Sequence, residues 1–234
     1  MFQIYLTKAA QDSMSRDETY LLVQTMRIFN GLRLFILIAE DTRRKGPDDV
    51  VNHKKYIELL FNHASNLNEV LVALQEDLFA RYRQVMTRKD VIDGLQRWED
   101  RINRRDETVK VLAAIRNKHS FHVAHDPYYP WKYITEGPAS GDRLIGIGET
   151  MQGEGWVFSL DTDLIFAFLR DHALESPGDA AQDYGKVIKI IDEASVNLYK
   201  LFEAIVSEML RNRVYMKGNK AEAKREYRKS PGGT

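Results

Sequence analysis

Tyr20–Ala39, YLLVQTMRIFNGLRLFILIA, is the stretch on which the fold turns. Taken as an unbroken apolar run it is a membrane span; taken with its polar residues it is one wall of a helical bundle. A bilayer core needs about 20 predominantly apolar residues in helix, and the run has that length. Gln24, Arg27, Asn30 and Arg33 interrupt it, and an arginine at mid-bilayer costs about 2.5 kcal/mol or more. Leu22, Met26, Phe29, Leu32, Phe35 and Ile36 recur mostly at spacings of three and four, the period of one helix face. The expectation is a buried helix of a soluble protein with no membrane partner. Asp17 and Glu18 just upstream suit the positive end of the helix dipole, and Gly46 and Pro47 in DTRRKGPDD end the pattern.

The same periodicity continues on either side of a break. From about Asp49 to Tyr82 one side carries Tyr56, Leu59, Leu60, His63, Leu67, Val70, Leu71, Leu74 and Leu78, as one helix or two. Asp90 is placed to open a further helix with Val91, Leu95, Trp98 and Ile102 as its stripe, and Asp106 another with Val109, Leu112, Ala113 and Arg116. The character then changes at HDPYYPWKYITEGPASGDRLIGIGETMQGEGWVFSL, rich in proline and glycine with short apolar runs, which reads as a loop carrying short strands. Helix resumes at about Asp161–His172 and from Ala180 to Asn212. There Val187, Ile191, Ala194, Leu198, Leu201, Ile205 and Met209 form a heptad-like seam, facing the core or a second subunit. The pattern predicts an all-α, up-and-down helical bundle: residues 1–214 as one domain with a loop and short-strand insertion at about 124–160, then a basic, frayed tail over 215–234.

Composition narrows the function classes. A chain of 234 residues with 44% hydrophobic content supports one sizeable core. Its 34 basic and 34 acidic side chains cancel, so no global field draws it to nucleic acid, and any such partner must be met by a local patch. With no cysteine there is no disulfide, no thiolate metal site and no cysteine nucleophile. The N-terminus lacks the basic-then-apolar run of a signal peptide, which points to a cytoplasmic protein.

Chemistry-bearing residues concentrate in AAIRNKHSFHVAHD, Ala113–Asp126, which holds Arg116, Asn117, His119, His122 and His125. As a metal site it is poor. On a continuous helix the outer two histidines lie about 9 Å apart along the axis, too far to share a zinc at about 2.0 Å, and no glutamate sits between them as in HExxH. No metal and no cofactor is expected. Gly146, Gly148, Gly153 and Gly155 lack the lysine of a phosphate-binding loop and read as hairpin turns. Neither Ser120 nor Ser140 has a strand–turn–helix setting. Tyr128, Tyr129, Trp131, Tyr133, Trp156 and Phe158 are the aromatic anchors of a long loop, though such rings also stack bases.

With its arginine, adjacent asparagine and later histidine, IRNKHSFH resembles the signature of the HEPN superfamily, an R-x(4 to 6)-H motif closing a helix of an all-α bundle. The match is Arg116, Asn117 and His122, with Phe121 before the histidine. It covers this short segment, and the helix order of the remainder agrees loosely. The resemblance implies a metal-independent endoribonuclease of the kind found in toxin–antitoxin and other defence systems. It also implies a homodimer that brings two motifs together, with RNA as substrate and a cognate antitoxin as a further partner. Other members of the superfamily are inactive binding modules. Arg116 and His122 are the implied catalytic residues, with Asn117 in support. His119 and His125 lie outside the strict pattern and, with Arg101 and Arg105 upstream, are weaker candidates for holding substrate.

Those residue types suit the reaction. RNA carries its own nucleophile in the 2′-OH, so cleavage needs a base, an acid and a cation for the charge developing on phosphorus. Histidine, with a pKa near 6.5, serves the first two roles; arginine, always charged and forked, serves the third. On one helix Arg116 and His122 lie about 9 Å apart axially and about 120° apart in direction, so a twofold dimer that sets each His122 near the other Arg116 would complete the site. Two rival readings stand beside this one: a non-catalytic binding or scaffold module in which the same residues cap a helix, and a nucleotide-binding regulator.

Overall fold

Stripes of leucine, isoleucine and aromatic residues at helical spacing fold here into helices, several of them opened by Ser, Thr and Asp caps. The computed structural model describes residues 3–44, 50–117, 160–211 and 213–217. Their order is β1 (Gln3–Leu6), α1 (Lys8–Ser13), α2 (Arg16–Arg44), α3 (Val50–Ala73), a π-helical turn (Leu74–Leu78), α4 (Phe79–Val85), α5 (Lys89–Arg104), α6 (Glu107–Ile115), α7 (Leu160–His172), α8 (Ala180–Leu210) and β2 (Val214–Lys217). The predominantly helical architecture meets the all-α expectation. The 124–160 insertion, with its glycines and aromatics, lies outside the described residues except for Leu160, which opens α7.

Local chemistry accounts for the helix ends. Ser15 and Glu18 form a capping box at α2, the Glu18 N–H donating to Ser15 Oγ and the Ser15 N–H to Glu18 Oε2, each at 3.1 Å. Asp106 caps α6, accepting from the Val109 N–H at 3.0 Å, as its position predicts. Asp90 does not cap α5. The N-cap is Arg88, whose side chain makes no capping bond; instead Glu208 of α8 accepts from the N–H groups of Thr87 and Arg88 at 2.7 and 3.0 Å. The C-terminus of α5 closes as a Schellman turn, with Arg105 N–H on Ile102 O and Asp106 N–H on Arg101 O. Arg105 takes the left-handed conformation there, at φ 49°.

α8 is the axis of the bundle, packed by α2, α3, α5, α6 and α7. Every residue of its heptad-like seam, Val187 through Met209, is buried, so the seam belongs to the core of its own chain. The 49–82 pattern follows one continuous helical path through the π turn, burying Leu60, Leu67, Leu71, Leu74 and Leu78. Two polar pairs are enclosed. Thr25 Oγ1 donates to Leu21 O at 2.6 Å and shares a hydrogen bond with the Tyr82 hydroxyl at 2.8 Å. His63 Nε2 meets Ser195 Oγ at 2.9 Å while its ring stacks flat on Phe35.

α2 corrects the expectation of a wholly buried helix. It buries Leu21, Leu22, Thr25, Leu32 and Phe35, whereas Val23, Leu34 and Leu37 are 57%, 59% and 53% exposed, and Met26 also faces outward. By length and composition Arg16–Ile38 suffices to cross a membrane. β1 and β2 pair in an antiparallel ribbon running from Gln3↔Lys217 to Leu6↔Val214. Positions 215–217, expected within a frayed tail, are therefore strand; 218–234 lie outside the described residues.

Candidate functional site

The site begins with how α6 is seated. Thr108, Val111, Leu112 and Ile115 are buried, and α6 packs against α3, α7 and α8. Arg116 follows Ile115 by one residue, about 100° further around the axis, so its stem leaves at the edge of the buried stripe and its head reaches α3. There Nε donates to Glu69 Oε1 at 2.9 Å, and Nη1 donates to the Asn117 side-chain oxygen at 3.2 Å. The Arg116 side chain stays 34% exposed and that of Glu69 56%. An ion pair this wet contributes about 0.2–1 kcal/mol, so its main effect is to aim the guanidinium. Arg116 and Asn117 are thus brought together, on side-chain partners. His119, His122 and His125, the remaining members of the predicted constellation, lie outside the described residues.

Glu69 is the participant that sequence reasoning missed. It stands 47 positions before Arg116 and carries no local motif; only the packing of α6 on α3 makes them neighbours. It also lines a groove of about 680 Å³ between α2 and α3. The α2 wall presents Arg27, Gly31 and Leu34, and the α3 wall and π turn present Asn66, Glu69, Glu76 and Asp77. Arg116 is not one of the residues that line this groove; its link to it is the bond to Glu69.

Arg101 and Arg105, the weaker substrate-holding candidates, have other surroundings. Arg101 donates from Nε to Asp106 Oδ2 at 2.6 Å, from Nη2 to Thr108 Oγ1, and lies over the Trp98 ring at 4.7 Å. These contacts clamp the α5–α6 corner. Arg105 is exposed, with its backbone committed to the Schellman turn. Among the described residues no group of three or more His, Cys, Asp or Glu side chains is placed to hold a metal ion.

A scan against protein-family models finds no match to this chain, and searches of curated proteins and of solved structures find none.

Proposed function

We propose that this chain is a metal-independent endoribonuclease of HEPN type, acting as a dimer, with Arg116 on the scissile phosphate and His122 as general acid or base. The observation that supports it is Arg116 itself: a partly exposed guanidinium at the end of a helix, aimed by Glu69 and Asn117. A guanidinium is always charged and forked, a geometry that matches a phosphate, and one held by side-chain partners loses less entropy on meeting it. In the reaction a histidine takes the 2′-OH proton as the 2′-oxygen attacks phosphorus. The P–O5′ bond breaks, the 5′-oxygen gains a proton from the acid, and a 2′,3′-cyclic phosphate remains. Arginine lowers the barrier by facing the charge on the equatorial oxygens.

A second reading rests on the same contact. The Arg116–Glu69 pair ties the end of α6 to α3, as a scaffold or binding module would require without any chemistry. Cleavage separates the two. Purified protein should cut RNA in EDTA with 2′,3′-cyclic ends, and Arg116→Ala and His122→Ala should each lower the rate at least about 10²-fold. Cleavage that persists in the double variant overturns the nuclease reading; absence of cleavage by folded wild-type dimer favours the scaffold.

A further inference from the structure

We propose that α2 opens locally from Gly31 onward as pH falls, with the enclosed imidazole of His63 as the proton acceptor that drives the opening. The device is independent of the nuclease reading. The two parts of α2 are held very differently. Up to Thr25 the helix is fixed by the capping box at Ser15, by the bond from Arg213 to Glu18, by buried Leu21 and Leu22, and by the Thr25 hydroxyl, which meets that of Tyr82 at 2.8 Å. Phe29, stacked on Tyr199 of α8 at 5.0 Å, marks the boundary. Beyond Gly31 the buried side chains among the described residues are Leu32 and Phe35, while Leu34, Leu37 and Ile38 are exposed. Gly31 sits where a Cβ would meet nothing within 4 Å. No close packing calls for a glycine there, and its effect is to weaken the helix where its two parts join.

One of the two anchors of the outer part rests on His63. The Phe35 ring lies on the imidazole with centroids 3.4 Å and planes 2° apart, and His63 Nε2 meets Ser195 Oγ of α8 at 2.9 Å. Phe35 thus covers a buried group that must be neutral to stay covered, since a charge enclosed without a partner is costly. The charged and titratable groups around it are few. Arg27 of α2 lines the same groove and opposes a second positive charge; of the carboxylates on the other wall, Glu69 is held by Arg116 and Asp77 by Arg81, and Glu76 is exposed. On α8, Asp192 and Tyr199 stand about one turn before and after Ser195. Burial, and none of these groups, is what holds the imidazole's pKa down at about 3. When Phe35 leaves, water reaches the ring and its ordinary pKa of about 6.5 returns. Each proton taken up then favours the open state, so a local opening that costs less than global unfolding becomes linked to pH.

Hydrogen–deuterium exchange of the full chain, corrected for the intrinsic pH dependence of amide exchange, tests the proposal. At pH 7 the amides of residues 32–38 should be less protected than those of residues 21–25 and of Val187–Met209. Between pH 7 and pH 5 their protection should fall roughly twentyfold, the linkage expected when a buried neutral histidine regains its ordinary pKa on opening. His63→Gln should remove that fall. Gly31→Ala, whose added methyl meets nothing within 4 Å, should raise the protection of residues 32–38 severalfold and keep the pH dependence. It serves as the test if His63→Gln does not fold. Equal protection of residues 21–25 and 32–38 overturns the proposal, because α2 then opens only as a whole. So does a fall that persists in His63→Gln, or protection of residues 32–38 that Gly31→Ala leaves unchanged.

Discussion

At His63 an imidazole is enclosed between the Phe35 ring and Ser195, and burial holds its pKa down at about 3, against 6.5 for a solvated histidine. The folded state therefore keeps it neutral, while the unfolded chain takes up a proton below pH 6.5. A group with a depressed histidine pKa contributes stability that is fully present above the unfolded value and is lost as pH falls from 6.5 toward 3. The slope is about 1.4 kcal/mol per pH unit. Urea unfolding should lose about 1 kcal/mol between about pH 6.5 and about pH 5.5, before carboxylates dominate, and His63→Gln should remove that share of the slope. Equal slopes in both proteins would mean that His63 is not buried as a neutral ring. Residue identity made such groups visible without telling their surroundings. His63 falls in the apolar stripe of its helix and so was legible as an inward position. Arg101 reads in sequence more as a solvated-face arginine than as part of an RNA patch, and its corner-clamping role was hidden because Asp106 and Thr108 reach it only after the chain turns through Arg105.

At the scale of elements, the close contact of α5 and α8 passes through Gly94, a buried glycine in the interior of α5. A Cβ there would stand 2.8 Å from Leu201 Cδ1, and Leu201 is itself packed in the core. Gly94→Val should destabilise the protein by about 2 kcal/mol, since overpacking outweighs the gain in helix propensity. Leu201→Ala in the same chain should recover part of the loss, and chemical denaturation of the two singles and the double measures the coupling. Additive losses would show that the helices do not meet at this pair. Helices were the legible elements because their period repeats over many turns: the α8 seam and the α5 stripe are buried residue for residue. Sidedness was less legible in α2, where apolar residues occupy most of the circumference, so that period alone does not say which sector faces inward. The cap of α5 escaped notice for a different reason. Glu208 supplies it from another helix, whereas a sequence rule looks only at adjacent positions.

Among the described residues, the first and last segments close the fold by pairing with each other. β1 pairs with β2, the Thr7 N–H donates to Arg213 O at 2.8 Å, and Arg213 Nη2 donates to Glu18 Oε1 at 2.9 Å. That last bond, ahead of the Ser15 N–H, holds the Glu18 carboxyl below its ordinary pKa. None of this was legible in sequence: the strands are four residues each, too short for an alternating pattern, and their pairing spans nearly the full chain length. The Arg116–Glu69 contact was hidden by the same kind of distance, which is why the arginine of the candidate site could be named and its carboxylate partner could not. The closure predicts a measurable asymmetry between two shortened chains. One ending at Lys217 keeps the ribbon and the Arg213–Glu18 bond. One ending at Leu210 loses both, and should unfold about 1–2 kcal/mol more easily by urea titration, the sum expected for a partly buried charged hydrogen bond and a short strand pair. The loss should be local in origin. Backbone amides of residues 3–7 should exchange with deuterium far faster in the shorter chain, while those of Val187–Met209 in α8 should slow or speed only with global stability. Equal protection of residues 3–7 in both chains would show that the ribbon does not hold the N-terminus in place.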